Sequence, residues 1–185
     1  MTISQLDSKT ALIVIDLQEG IVPLAPEAEA KVAVENSIKL INTFHTKELP
    51  VVLVNVAGSA PGRTSYAHSG GEEVPTNWAD LIPALPRKDD DILVTKHCWG
   101  ALMNTDLHTQ LQQQGVTQVV VVGIATSMGV ESTARQAYEL GYNVTLAKDA
   151  MADLSFTNHQ HSVDNIFPMI AEIGSTNDLL NILNA

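Results

Sequence analysis

Five short apolar runs recur along this chain with almost no polar alternation, and they restrict its fold more than any other feature. They are residues 11–15 (ALIVI), 51–56 (VVLVNV), 92–95, 119–122 and 144–147. A strand wetted on one face alternates apolar and polar residues, whereas a continuous run suits a strand covered on both faces, as in a parallel sheet. Between the runs lie segments of helical period. Val32, Ile38, Ile41 and Phe44 fall on one stripe, Val130, Ala134, Ala137 and Tyr138 on a second, and Val163, Ile166, Phe167 and Ile170 on a third. Strand–helix alternation over the whole length predicts an α/β protein: a three-layer, Rossmann-like, mainly parallel sheet of about six strands with helices on both faces.

At 185 residues, 45% hydrophobic and 17% charged, the composition is globular. No repeat, low-complexity tract or composition break marks a second unit, so one domain over 1–185 is expected. Residues 57–87 are the irregular part: they hold Gly58, Pro61, Gly62, Gly70, Gly71, Pro75, Pro83 and Pro86 and lack a clear period. Such a long connection is expected to be a functional lid or an oligomer contact.

Ten Lys and Arg against 21 Asp and Glu give a formal charge of −11, which repels a phosphate backbone and argues against nucleic-acid binding. No apolar run approaches the roughly 20 residues of a membrane helix, so no membrane association is expected. The first residues show neither a basic nor an apolar signal region. Cys98 is alone, so no intrachain disulfide can form; together these features predict a cytoplasmic protein.

Ligands of open α/β sheets bind beyond the carboxyl ends of the strands. Three strand ends carry chemistry there. The first leads to Asp16 and Gln18, the third to Lys96 with His97, Cys98 and Trp99, and the fourth to the loop at 123–129 (GIATSMG) before a helix. A carboxylate can move a proton, an ammonium can hold developing negative charge, and free N–H groups at a helix start can do the same. Each also has a plainer role: Asp16 as a turn former, Lys96 as a solvated charge, Gly123 and Gly129 as turn and packing residues. Their conjunction is what points to a site.

The segments IVIDLQ (13–18), TKHCWGAL (95–102) and GIATSMGVESTAR (123–135), with GYNVTLAKDA (141–150) and the late Ile166-Phe167-Pro168, resemble the isochorismatase-like hydrolases, also called cysteine hydrolases, which include the nicotinamidases. In that family an Asp, a Lys and a Cys act together. Asp16 matches the Asp and Lys96 the Lys, while Gly129 stands at the nucleophile's position. Without a thiolate there, the covalent acyl-enzyme route loses its nucleophile. The isochorismatases proper also resemble this chain in having Gly at that place. The vinyl-ether cleavage they imply needs none: an acid protonates the enol-ether carbon, water adds, and the hemiketal collapses to pyruvate and an alcohol. The resemblance further implies a cis peptide before Ala125, backbone N–H groups at Ala125 and Gly129 that stabilise negative charge, and a homo-oligomer, dimer or tetramer. Nicotinamidases place an Asp-x-His metal motif after the second strand; here that place reads Asn55-Val56-Ala57, so neither metal nor another cofactor is expected.

Burial would keep Asp16 protonated and make it an acid; Lys96 pushes the other way and would make it a base that activates water on an amide or ester. Both roles stay open at this stage. Gln18, Trp99, Thr126 and Ser127 are expected to line the pocket of a small-molecule substrate. Cys98 reads as a displaced nucleophile or a small buried hydrophobe. His159 and His161, two apart, diverge on a helix and are expected at the surface or at a cap rather than as a metal pair. Arg63, Tyr66, His68 and Trp78 belong to the irregular stretch, where they meet substrate or form a lid or interface. An idle scaffold that has lost its nucleophile is the remaining alternative, and retention of both Asp16 and Lys96 counts against it.

Overall fold

The computed structural model describes residues 3–65 and 75–185. Its strands are β1 (Thr10–Ile15), β2 (Val51–Val56), β3 (Ile92–Lys96), β4 (Gln118–Ile124), β5 (Asn143–Ala152) and β6 (Glu172–Gly174). Helices α1 (Glu27–Thr46), α2 (Leu107–Gln113), α3 (Glu131–Glu139), α4 (Phe156–His161) and α5 (Thr176–Leu183) connect or follow them. The six strands form one sheet in the order β3-β2-β1-β4-β5-β6, and every neighbouring pair is parallel. The expected three-layer, Rossmann-like sheet is therefore present.

Burial on both faces explains the unbroken apolar runs. In β1, Ala11, Ile13 and Ile15 face the α2/α3 side with Leu107, Leu111, Ala134 and Ala137. Leu12 and Val14 face the α1/α5 side with Ala33, Leu40, Phe44 and Leu179. All five β1 residues are at most 1% exposed, so every side chain of the run is withdrawn from water. The edge strand β3 departs from this pattern. Leu93 is 65% exposed and Thr95 is open as well, because at the sheet edge only the face carrying Ile92 and Val94 is covered.

Three sequence expectations shift in detail. Val32 and Tyr138 lie outside their buried stripes; α1 turns Ala30 and Ala33 to the sheet instead, where small side chains let the helix approach closely. The third stripe is not one helix. After α4 the chain makes a π-helical turn, Ser162–Ile166, then a 3-10 turn, Phe167–Met169, around Pro168, although Val163 and Phe167 still reach the core. Strand β6 (EIG) has no apolar run to announce it.

Of the irregular stretch, residues 78–82 pack as a strap along the chain after β1. Glu19 N–H donates to Asp80 (2.9 Å), Gly20 N–H to Trp78 (3.0 Å) and Ile82 N–H to Leu17 (3.0 Å). Gly20 lets this happen, because a Cβ there would stand 2.1 Å from the Trp78 ring. Arg63 is exposed; Tyr66, His68, Gly70 and Gly71 lie outside the described residues. No helix among the described residues is long and apolar enough to cross a membrane.

Candidate active site

The strand order reverses between β1 and β4, the place where open α/β sheets bind ligands. Asp16 follows β1 there. Its backbone leaves the strand conformation with φ of 51°, a left-handed value that Asp tolerates better than most residues. Strand alternation alone would give Asp16 the direction of Leu12 and Val14, while Lys96 shares the side of Ile92 and Val94. The turn at Asp16 swings its carboxylate round, and Lys96 Nζ donates to Asp16 Oδ2 at 2.7 Å.

Both partners are withdrawn from water, Asp16 at 4% and Lys96 at 1% exposure. Lys96 Nζ also donates to the Cys98 carbonyl at 3.2 Å. Asp16 Oδ1 is buried and has no hydrogen-bond partner among the described residues. Burial pushes the Asp16 carboxyl up to about 6, and the charge and hydrogen bond of Lys96 only partly pull it back. Of the two opposed effects, desolvation wins. At neutral pH roughly a tenth of the carboxyls then carry a proton, enough for either direction of proton transfer.

Beyond β4 the Ile124–Ala125 peptide is cis, as the resemblance implies. A π-helical turn, Thr126–Val130, then leads into α3. Such turns recur at functional sites. It brings Gly129 against the charged pair: a Cβ at Gly129 would lie 3.1 Å from Asp16 Oδ2, 2.8 Å from Ile15 Cγ2 and 3.5 Å from the Trp99 carbonyl. The position is close enough to the acid for chemistry and too tight for a side chain without movement. Ile15 Cγ2 sits on a β-branched carbon with little rotamer freedom of its own. Gly129→Cys is therefore expected to lower stability by about 1–3 kcal/mol, read as a drop in Tm. In a double-mutant cycle the penalties of Gly129→Cys and Ile15→Ala should be less than additive; additive penalties would show that this contact does not limit the site.

The other residues singled out in the sequence go different ways. Ala125 is buried beside the turn. Trp99 is 59% exposed at the rim, with its carbonyl toward position 129. Gln18 is a clamp: its Nε2 donates to the Val56 and Trp78 carbonyls, and its Oε1 accepts from Val56 N–H. With both amide protons and its oxygen bonded to backbone, it ties β2 and the strap to the Asp16 turn instead of opening onto a pocket. The hydroxyls of Thr126 and Ser127 also turn to the scaffold, toward Ala152, His159 and Asp153. Cys98 Sγ lies against the carbonyls of Gly100 (3.3 Å) and Met103 (3.8 Å), so the part of Cys98 that touches the charged pair is its carbonyl. At the second-strand position, Asn55 donates to the Ala79 carbonyl and accepts from Thr95. No group of three or more metal-ligating side chains is gathered among the described residues.

Residues 10–178 match the family model of the isochorismatase domain. The chain belongs to the isochorismatase family. It is 42% identical to the isochorismatase family protein YecD of Escherichia coli O157:H7, over 97% of this chain and 99% of that protein. An isochorismatase family protein from Burkholderia thailandensis superposes with a TM-score of 0.90 at 36% identity, covering 98% of each chain. A more distant relative is a ureidoacrylate amidohydrolase, RutB of Acinetobacter baylyi, 27% identical over 94% of this chain and 83% of its own. The chain is a hydrolase of this family.

Proposed function

We propose that this isochorismatase-family hydrolase cleaves a vinyl-ether or related C–O bond of a small molecule, by proton transfer and water addition and without a covalent cysteine intermediate. The carrying observation is Gly129 itself: the place facing Asp16 Oδ2 holds no side chain, yet the acid and its lysine partner are both kept. In this reading Asp16 delivers a proton to the enol-ether carbon. Water then adds to the oxocarbenium carbon and returns a proton to the Asp16 carboxylate. The hemiketal collapses to a carbonyl compound and an alcohol, so the enzyme is restored without any cofactor. Lys96 fixes the carboxyl and, with the N–H groups around Ala125 and Gly129, faces negative charge on the substrate. Trp99 walls the rim. The same proposal includes one domain over 1–185, a cytoplasmic location and a homo-oligomer.

Amide or ester hydrolysis by activated water is the second reading, favoured by the amidohydrolase named among the relatives. The direction of the pH profile separates the two. An Asp16 that works as an acid must be protonated, so kcat/KM should fall tenfold per pH unit above about 6. An Asp16 that works as a base must be ionised, so kcat/KM should rise through about 6 and then level off. The test is turnover of the native protein on a panel of vinyl ethers, amides and esters, followed by the pH profile on whichever class reacts. Turnover of amides or esters alone, with a rising profile, would overturn the vinyl-ether reading.

A further inference from the structure

We propose that His159 and Asp153, reaching across from α4 and the end of β5, are positioning residues that hold the turn at Thr126 and Ser127 so that the backbone beside Gly129 faces Asp16. This rests on the reading of residues 125–129 as the element that meets the substrate.

The case begins with one proton. Thr126 is fully buried, and its hydroxyl has a single hydrogen. The Ala152 carbonyl, 3.1 Å away, can only accept, so Thr126 donates there. The 2.8 Å contact between Thr126 Oγ1 and His159 Nδ1 then requires His159 to be the donor. The neutral ring is thereby fixed as the Nδ1–H tautomer. Burial, the largest influence, holds the His159 pKa below its ordinary value and favours that neutral form, although Asp153 and Asp164 pull the other way.

Asp153 secures the next residue. Its Oδ2 accepts from both Ser127 N–H (2.7 Å) and Ser127 Oγ (2.8 Å), while Oδ1 accepts from Ser155 N–H at 3.3 Å. Asp153 is only 3% exposed, so these bonds are shielded from competing water. Within the turn, Met128 and Val130 N–H both converge on the Ala125 carbonyl at 3.2 Å, and Glu131 N–H donates to the Thr126 carbonyl. Two consecutive residues are thus held from one side by a separate strand and helix. In the sequence these two residues carry little signal; the buried threonine hydroxyl that needs a donor is visible only once β5 and the turn lie side by side.

The test compares wild type with His159→Ala, His159→Asn (which keeps an N–H donor near the Nδ1 position) and Asp153→Asn. Residue-resolved amide hydrogen exchange serves as the readout that needs no substrate, beside Tm. In His159→Ala, exchange across residues 126–129 should rise about tenfold or more while amides of β1 and the middle of β4 stay as in wild type. With the substrate class found above, kcat should fall about 10–100-fold with KM changed less than about threefold. His159→Asn should restore most of both. Unchanged exchange in the turn, or a rise spread evenly over the chain in step with a lower Tm, would overturn the proposal, as would failure of His159→Asn to rescue. If none of the substrates turns over, the functional reading falls and the exchange comparison still decides this one.

Discussion

Asp16→Ala is expected to reduce turnover by about 10²–10⁴-fold while leaving the protein folded. The expectation comes from the two oxygens of one carboxyl. Oδ2 is held by Lys96 at 2.7 Å; Oδ1 is buried with no partner among the described residues. Such an oxygen costs stability unless something at the site uses it. Burial also keeps its proton available near neutral pH, with a pKa of about 6. Both hydrolytic readings pass their proton through this group. Cys98→Ser is the matched control: it preserves the backbone carbonyl that accepts from Lys96 and should keep activity, because the thiol lies against Gly100 and Met103. Equal activity in Asp16→Ala and wild type would remove both readings. Stoichiometric inactivation by alkylation at Cys98, with the fold intact, would restore the displaced-nucleophile alternative.

Lys96→Met is expected to cost about 3–5 kcal/mol of stability at pH 8, and clearly less at pH 5. The pair is buried on both sides, so removing the ammonium leaves a carboxylate in a place that disfavours charge. The carboxyl has an escape, which is to take up a proton. Burial already raises its folded-state pKa from 3.8 to about 6, and losing the lysine raises it further. A group whose folded pKa is raised contributes stability that is complete below the unfolded value and is lost as pH rises through the folded one. Wild type therefore finishes losing the Asp16 contribution just above pH 6, whereas the variant goes on losing it at higher pH. Urea denaturation at both pH values measures the gap; the same deficit at pH 5 and pH 8 would show that the ion pair does not govern Asp16.

Much of this architecture was legible in the residues. The continuous apolar runs of β1, β2 and β4 are what two-sided burial demands, so strands, their parallel arrangement and the helical layers followed from pattern alone. Edge effects were not legible in the same way. Strand β3 is covered on one face only, and β6 is too short and polar to carry an apolar signature. Val32 and Tyr138 misled because a helical stripe read from apolarity ignores how closely small residues, Ala30 and Ala33 in α1 and Ala134 and Ala137 in α3, let a helix approach the sheet.

The site divides along the same line. The sequence by itself determined which chemical groups are present at the strand ends: one carboxyl, one ammonium, and a glycine, Gly129. Residue types and their order along the chain suffice for that. Tertiary structure alone decided how they meet. By strand alternation Asp16 and Lys96 belong to opposite faces of the sheet, and only the left-handed backbone at Asp16 brings them to 2.7 Å across β2. It also decided which polar side chains remain free. Gln18, Thr126 and Ser127 look like pocket residues in sequence, but buried hydrogen-bonding groups must be satisfied, and their partners at residues 56, 78, 152, 153 and 159 come together only when the sheet closes.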